Sequence, residues 1–81
     1  MTDPLEEIEF LARSPNRIRV LETLSSGPHT RGELQAAVGA SQPTLARILG
    51  DFEEREWVKS QDGTYETTRL GSFVASGFRS L

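Results

Sequence analysis

With no cysteine and one histidine, His29, the sequence has no thiolate nucleophile, no disulfide framework and no zinc ligand set. It also lacks a Gly-rich phosphate loop, so enzyme chemistry has little support and no cofactor or metal is expected. What remains is hydrogen bonding and charge. The informative grouping is Gln42, Thr44 and Arg47, with the compact residues Pro43 and Ala46 beside them. Leu45, Ile48, Leu49 and Phe52 recur at helical spacing and must face a core. That turns Gln42, Pro43, Thr44, Ala46 and Arg47 outward in the first two turns. A Gln amide can make two hydrogen bonds to adenine and an Arg guanidinium two to guanine, while Thr can touch a thymine methyl or a phosphate. Upstream, Thr30 and Arg31 open another helix and can meet a phosphate through N–H groups and guanidinium, with His29 next to them.

Each of these residues has a plainer reading. Arg47 lies one turn before Asp51 and can simply pair with it. Thr30 fits a helix N-cap, a role that can coexist with phosphate contact. His29 suits a surface turn. Trp57, Tyr65 and Phe78 read as core or interface residues rather than base-stacking groups.

The elements that position these groups are short. The chain has 81 residues, about half a typical domain-sized unit, so it forms one domain at most. Its hydrophobic fraction of 36% is low against the roughly 45–50% usual for globular domains, which implies a small core. A first helix is expected from Asp3 to Arg13, with Asp3 as cap, Glu6 as capping-box acid, and Leu5, Ile8, Leu11 and Ala12 on one face. A second begins at Ser14-Pro15, carries Ile18, Val20, Leu21 and Leu24, and stops at Gly27-Pro28. A third opens on the capping box Thr30-Arg31-Gly32-Glu33, buries Leu34, Ala37 and Val38, and ends at Gly39. A fourth starts at Ser41 and runs to about Arg55.

Asp62-Gly63 between two β-prone segments predicts a hairpin with Lys59 opposite Glu66 and Ser60 opposite Tyr65. The last helix, 69–81, carries Leu70, Phe73, Val74, Phe78 and Leu81 as a wide stripe that Gly71 and Gly77 weaken. Two helices joined by the turn Gly39-Ala40-Ser41 make a helix-turn-helix unit over 30–55, whose second helix can lie in a DNA major groove. The predicted class is mainly α with a small β-hairpin, an α+β fold.

The net charge of −3 argues mildly against nucleic acid, but the charges are segregated. Residues 1–12 hold only acids, residues 13–50 are net positive, and residues 51–57 are net negative. The acidic first helix should sit away from DNA. No apolar run is long enough to span a membrane, and the acidic start does not read as a signal or transit peptide, so a cytoplasmic location is expected.

The strings Gly32-Glu33-Leu34-Gln35-Ala36-Ala37-Val38-Gly39-Ala40-Ser41, Pro43-Thr44-Leu45-Ala46-Arg47-Ile48-Leu49, Phe52-Glu53-Glu54-Arg55-Glu56-Trp57-Val58 and Tyr65-Glu66-Thr67-Thr68-Arg69-Leu70-Gly71 resemble the winged helix-turn-helix regulators of the MarR and ArsR type. The Arg-rich, Lys-poor composition looks like that of a haloarchaeal member. The resemblance covers roughly Ser14 to Gly77. It implies a three-helix core plus a wing at 57–68 and a C-terminal helix, with residues 41–55 as the recognition helix.

On that resemblance Gln42, Pro43, Thr44, Ala46 and Arg47 read bases. Arg17, Thr30, Arg31 and Ser41 hold the DNA backbone, and Lys59, Gln61, Gly63 and Thr64 form the wing contact. Two departures stand out: Glu56 occupies a position where such families usually have Gly, and the short wing carries only Lys59 as a base. Terminal helices pair in related dimers, which marks Leu5, Ile8, Phe73, Phe78 and Leu81 as a partner surface. Packing of the last helix on the first accounts for Leu70, Phe73 and Val74 better than for Phe78 and Leu81. The expected function is sequence-specific binding of double-stranded DNA as a homodimeric transcription regulator. The chain would be one module, with an effector domain after it. The alternative is a winged-helix module for protein–protein contact.

Overall fold

The computed structural model describes residues 3–80. Five helices and a small sheet follow in the order α1 (Pro4–Ala12), α2 (Pro15–Ser25), β1 (His29–Thr30), α3 (Arg31–Val38), α4 (Gln42–Glu54), β2 (Val58–Gln61), β3 (Thr64–Thr67) and α5 (Arg69–Arg79). Every helix starts at a residue whose side-chain oxygen accepts a first-turn backbone N–H: Asp3, Ser14, Thr30, Ser41 and Thr68. Among the described residues only α3 closes the reciprocal capping box, between Thr30 and Glu33. Glu6, expected to do the same for α1, does not.

The hairpin forms in the expected register, Lys59 opposite Glu66 and Ser60 opposite Tyr65. Its turn places Asp62 at φ 52° and Gly63 at φ 82°, the left-handed pair that a tight hairpin of this twist requires. The sheet is larger than the sequence implied. β1 adds a third antiparallel strand on β3, pairing His29 with Tyr65 and Thr30 with Thr64. Two residues are too few for strand periodicity to register in sequence.

α2 is central and packs against α1, α3, α5 and β3. The core gathers Leu11, Val20, Leu21, Leu24, Leu34, Val38, Leu45, Ile48, Leu49, Phe52, Trp57, Val58 and Ala75. Ala37, expected inside, is exposed, because a helix of two turns buries only the Leu34–Val38 edge.

The end of α4 is a Schellman motif. Trp57 N–H reaches Phe52 O at 2.9 Å and Glu56 N–H reaches Glu53 O at 3.0 Å, while Glu56 sits at φ 64°. The Phe52 and Trp57 rings complete it, 5.3 Å apart. The glycine usual at Glu56 is therefore a backbone requirement, which this chain meets with a strained glutamate.

α5 departs from the expected stripe. It ends at Arg79, and its inner edge is Gly71, Val74, Ala75 and Phe78. Leu70 and Phe73 point outward, at 48% and 75% exposure. The packing thus accounts for Phe78, and it is Leu70 and Phe73 that remain unexplained by it. Leu81 lies outside the described residues. Gly71 does not merely weaken α5: a Cβ there would stand 1.9 Å from the Trp57 carbonyl oxygen, so only glycine lets the helix dock.

Candidate nucleic-acid interface

Leu45, Ile48, Leu49 and Phe52 are buried, so α4 has one orientation, with the opposite face of its first two turns at the surface. Ser41, Gln42, Pro43 and Arg47 are exposed there, and Thr44 and Ala46 are half-buried. Ser41 Oγ accepts the Thr44 N–H at 3.3 Å and donates to Thr44 Oγ1 at 3.0 Å, which fixes both hydroxyls. The Gln42 amide donates from Nε2 to Gln35 Oε1 at 2.6 Å, bridging the two helices of the motif. Arg47 does not pair with Asp51. The ion pairs among the described residues are Arg55–Glu7 at 3.5 Å and Lys59–Glu66 at 3.3 Å.

Beside α4 lies a shallow groove lined by Ser14, Arg17, Thr44, Arg47, Ile48 and Asp51. It brings together the start of α2 and the outer edge of α4, with two guanidinium groups on one cleft. Arg17 is held there by Phe10: its Nη1 donates to the Phe10 carbonyl oxygen at 2.9 Å, and its guanidinium carbon lies 3.9 Å from the ring centroid. Arg55 lies over the same ring at 3.7 Å. Its Nε is buried without a hydrogen-bond partner, and Glu7 compensates it through charge rather than a formed bond.

Thr30 is consumed by its capping box, and the Thr30 backbone N–H holds the Glu33 carboxyl below its ordinary pKa. Arg31 is exposed and donates to the Tyr65 hydroxyl at 2.8 Å, linking α3 to the wing sheet. His29 is half-buried, and its Nδ1 donates to the Gly27 carbonyl oxygen at 2.7 Å, as a turn residue would.

The family model for the HVO_A0261 N-terminal domain matches residues 5–81. The chain belongs to this family. No curated protein matches it. Three solved structures resemble this HVO_A0261 N-terminal domain in fold. Quinone-bound YodB from B. subtilis superposes with a TM-score of 0.85 at 24% identity, over 99% of this chain and 91% of that one. The transcriptional repressor BigR from Xylella fastidiosa gives 0.79 at 23%, over 94% and 80%. The reduced form of MarR from E. coli gives 0.81 at 20%, over 94% of this chain and 58% of that one. The fold is the winged helix of MarR- and ArsR-type regulators.

In this HVO_A0261-type domain the wing is chemically quiet. Lys59 is tied across the hairpin to Glu66, and the Thr64 hydroxyl donates to Gln61 O at 2.9 Å within the turn. Gln61 and Gly63 are exposed. At the opposite ends of the chain, Leu5 is 60% exposed, as Leu70 and Phe73 are outward on α5, while Ile8 and Phe78 are half-buried. Sequence reasoning missed Gln35, Phe10 and Tyr65, which act by holding Gln42, Arg17 and Arg31. Their roles depend on contacts between separate elements, which no local pattern encodes.

Proposed function

We propose that this chain binds double-stranded DNA with sequence specificity, as the DNA-reading module of a transcription regulator. The observation that carries this reading is α4 itself: four buried apolar residues fix one edge to the core, leaving Gln42 and Arg47 exposed and Thr44 half-buried on the opposite face. Gln42 and Arg47 supply the two-bond chemistry that distinguishes adenine and guanine in the major groove. Arg17 and Arg31 supply charge for the DNA backbone, with the Ser41 and Thr30 helix starts beside them. Pro43 and Ala46 keep the helix surface low enough for base edges to approach. The wing contributes Gln61 and Gly63 more than Lys59, whose charge Glu66 offsets.

Two copies joined through Leu5, Leu70 and Phe73 would set two α4 helices about one DNA turn apart, roughly 34 Å, on a near-palindromic site. The family's description as an N-terminal domain supports a longer parent regulator with a further effector domain. The deciding experiment is selection from random duplexes at two salt concentrations. An enriched motif and a log–log salt slope of about −4 are expected for a dimer with two phosphate-bound arginines per protomer. No motif and no slope would overturn the reading. That result would favour the protein-contact module, which the paired Lys59 and the net charge of −3 support.

A further inference from the structure

Gln35 has no place in the DNA reading so far, yet it makes the hydrogen bond that joins the two helices of the motif through their side chains. It stands in the last turn of α3, half-buried, and its own carbonyl oxygen accepts the Gly39 N–H at 2.8 Å, so its backbone is pinned by the turn it precedes. Gln42 is the first residue of α4, in the turn that the Ser41 cap closes by accepting the Thr44 N–H. One N–H of the Gln42 amide goes to Gln35 Oε1. A primary amide has two such hydrogens and a carbonyl oxygen with two lone pairs. The second N–H and Oε1 remain, and together they match the acceptor N7 and donor N6 of adenine.

We infer that Gln35 sets base specificity without touching the base, by holding the Gln42 amide in the orientation that presents one N–H and one oxygen to an adenine edge. An unheld glutamine on a surface turn samples many rotamers, and fixing it only on binding costs entropy for every base alike. Pre-orientation removes that cost for the matching base and leaves a mismatched base facing an amide that cannot turn to suit it. The inference rests on the DNA reading above, and the test separates the two.

The test uses this chain and duplexes selected with it, with variants Gln35→Met, Gln35→Glu and Gln42→Ala. Methionine keeps the length and packing of Gln35 but cannot pair with the amide, whereas glutamate keeps the acceptor. One adenine position should lose preference about 10-fold in both Q42A and Q35M and recover to within about 3-fold of wild type in Q35E, in line with one bidentate contact. The salt slope should stay constant in Q42A and Q35M, because neither alters a charge or a phosphate contact. A wild type that enriches no motif defeats the DNA reading and this inference with it. An adenine preference lost in Q42A but kept in Q35M defeats the inference alone. Should Q35M melt well below wild type, Gln35→Ala, a good helix former without the acceptor, decides: loss of the preference there supports the inference, and retention overturns it.

Discussion

Arg47 and Arg17 share one groove but stand differently in it. Arg47 is exposed and unpaired by Asp51, whereas Arg17 already spends one N–H on Phe10 and stacks on its ring. Arg47→Ala should therefore cost roughly 1–3 kcal/mol and relax selectivity at a single base pair, measured by binding to the selected site and its point variants. Phe10→Leu should leave selectivity intact while weakening all sequences alike, because it loosens Arg17, which we propose holds the DNA backbone. Competition with unrelated duplex DNA would separate the two patterns. Glu66→Gln releases Lys59 from its cross-strand pair and should tighten binding and steepen the salt slope by up to about one unit. An unchanged slope would remove the wing from the interface.

The element boundaries show where local chemistry speaks plainly in the sequence. The cap residues Ser14, Thr30 and Ser41, the Asp62-Gly63 turn and the apolar edge of α4 were all legible, since each depends on neighbours within a few positions. The Glu56 conformation, marked in the sequence only as a departure from glycine, and the Gly71 contact were not: the first rests on the closing hydrogen bonds of α4, the second on the docking of α5 against Trp57. The candidate site divides in the same way. The outward residues of α4 followed from periodicity, but the Gln35, Phe10 and Tyr65 partners required the packed molecule.

Both unseen positions yield predictions. Glu56→Gly relieves a left-handed glutamate at a penalty of about 1–2 kcal/mol, partly offset by a more flexible unfolded chain, and should raise stability by about 0.5–1 kcal/mol. Gly71→Ala should cost about 3 kcal/mol or prevent folding, since the added carbon meets a carbonyl that already accepts the Thr68 N–H. Denaturant melts read both. The lowered pKa of Glu33 adds a pH dependence: its share of stability is present above the carboxyl's unfolded pKa and is lost as pH falls through its folded value. Glu33→Gln should flatten that limb of the stability curve.

At the scale of the molecule, charge and apolar surface are arranged on different sides. The acids Glu53, Glu54 and Glu56 lie at the far end of α4 from Gln42, and α1 holds Glu7 against Arg55. A net charge of −3 is thus compatible with two arginines, Arg17 and Arg47, on one groove. The outward Leu70 and Phe73 with Leu5 are what a second copy would cover. Phe73→Ser should leave the fold intact, because the side chain is 75% exposed, yet shift the chain to a monomer in sedimentation equilibrium and lower its affinity for a two-fold operator. A wild type that is already monomeric at high concentration would rule that surface out.

The third strand sets an order of assembly. Helices α2 to α4 and the hairpin can form from contacts close in sequence, on microsecond timescales. The Arg31–Tyr65 bond and the β1–β3 pairing beside it join residues 34 to 36 positions apart, so they bear the loop-closure entropy and should form late. The same seam is then among the first to open. Its backbone amides should exchange with solvent faster than those of the helical core, opening while α4 stays folded.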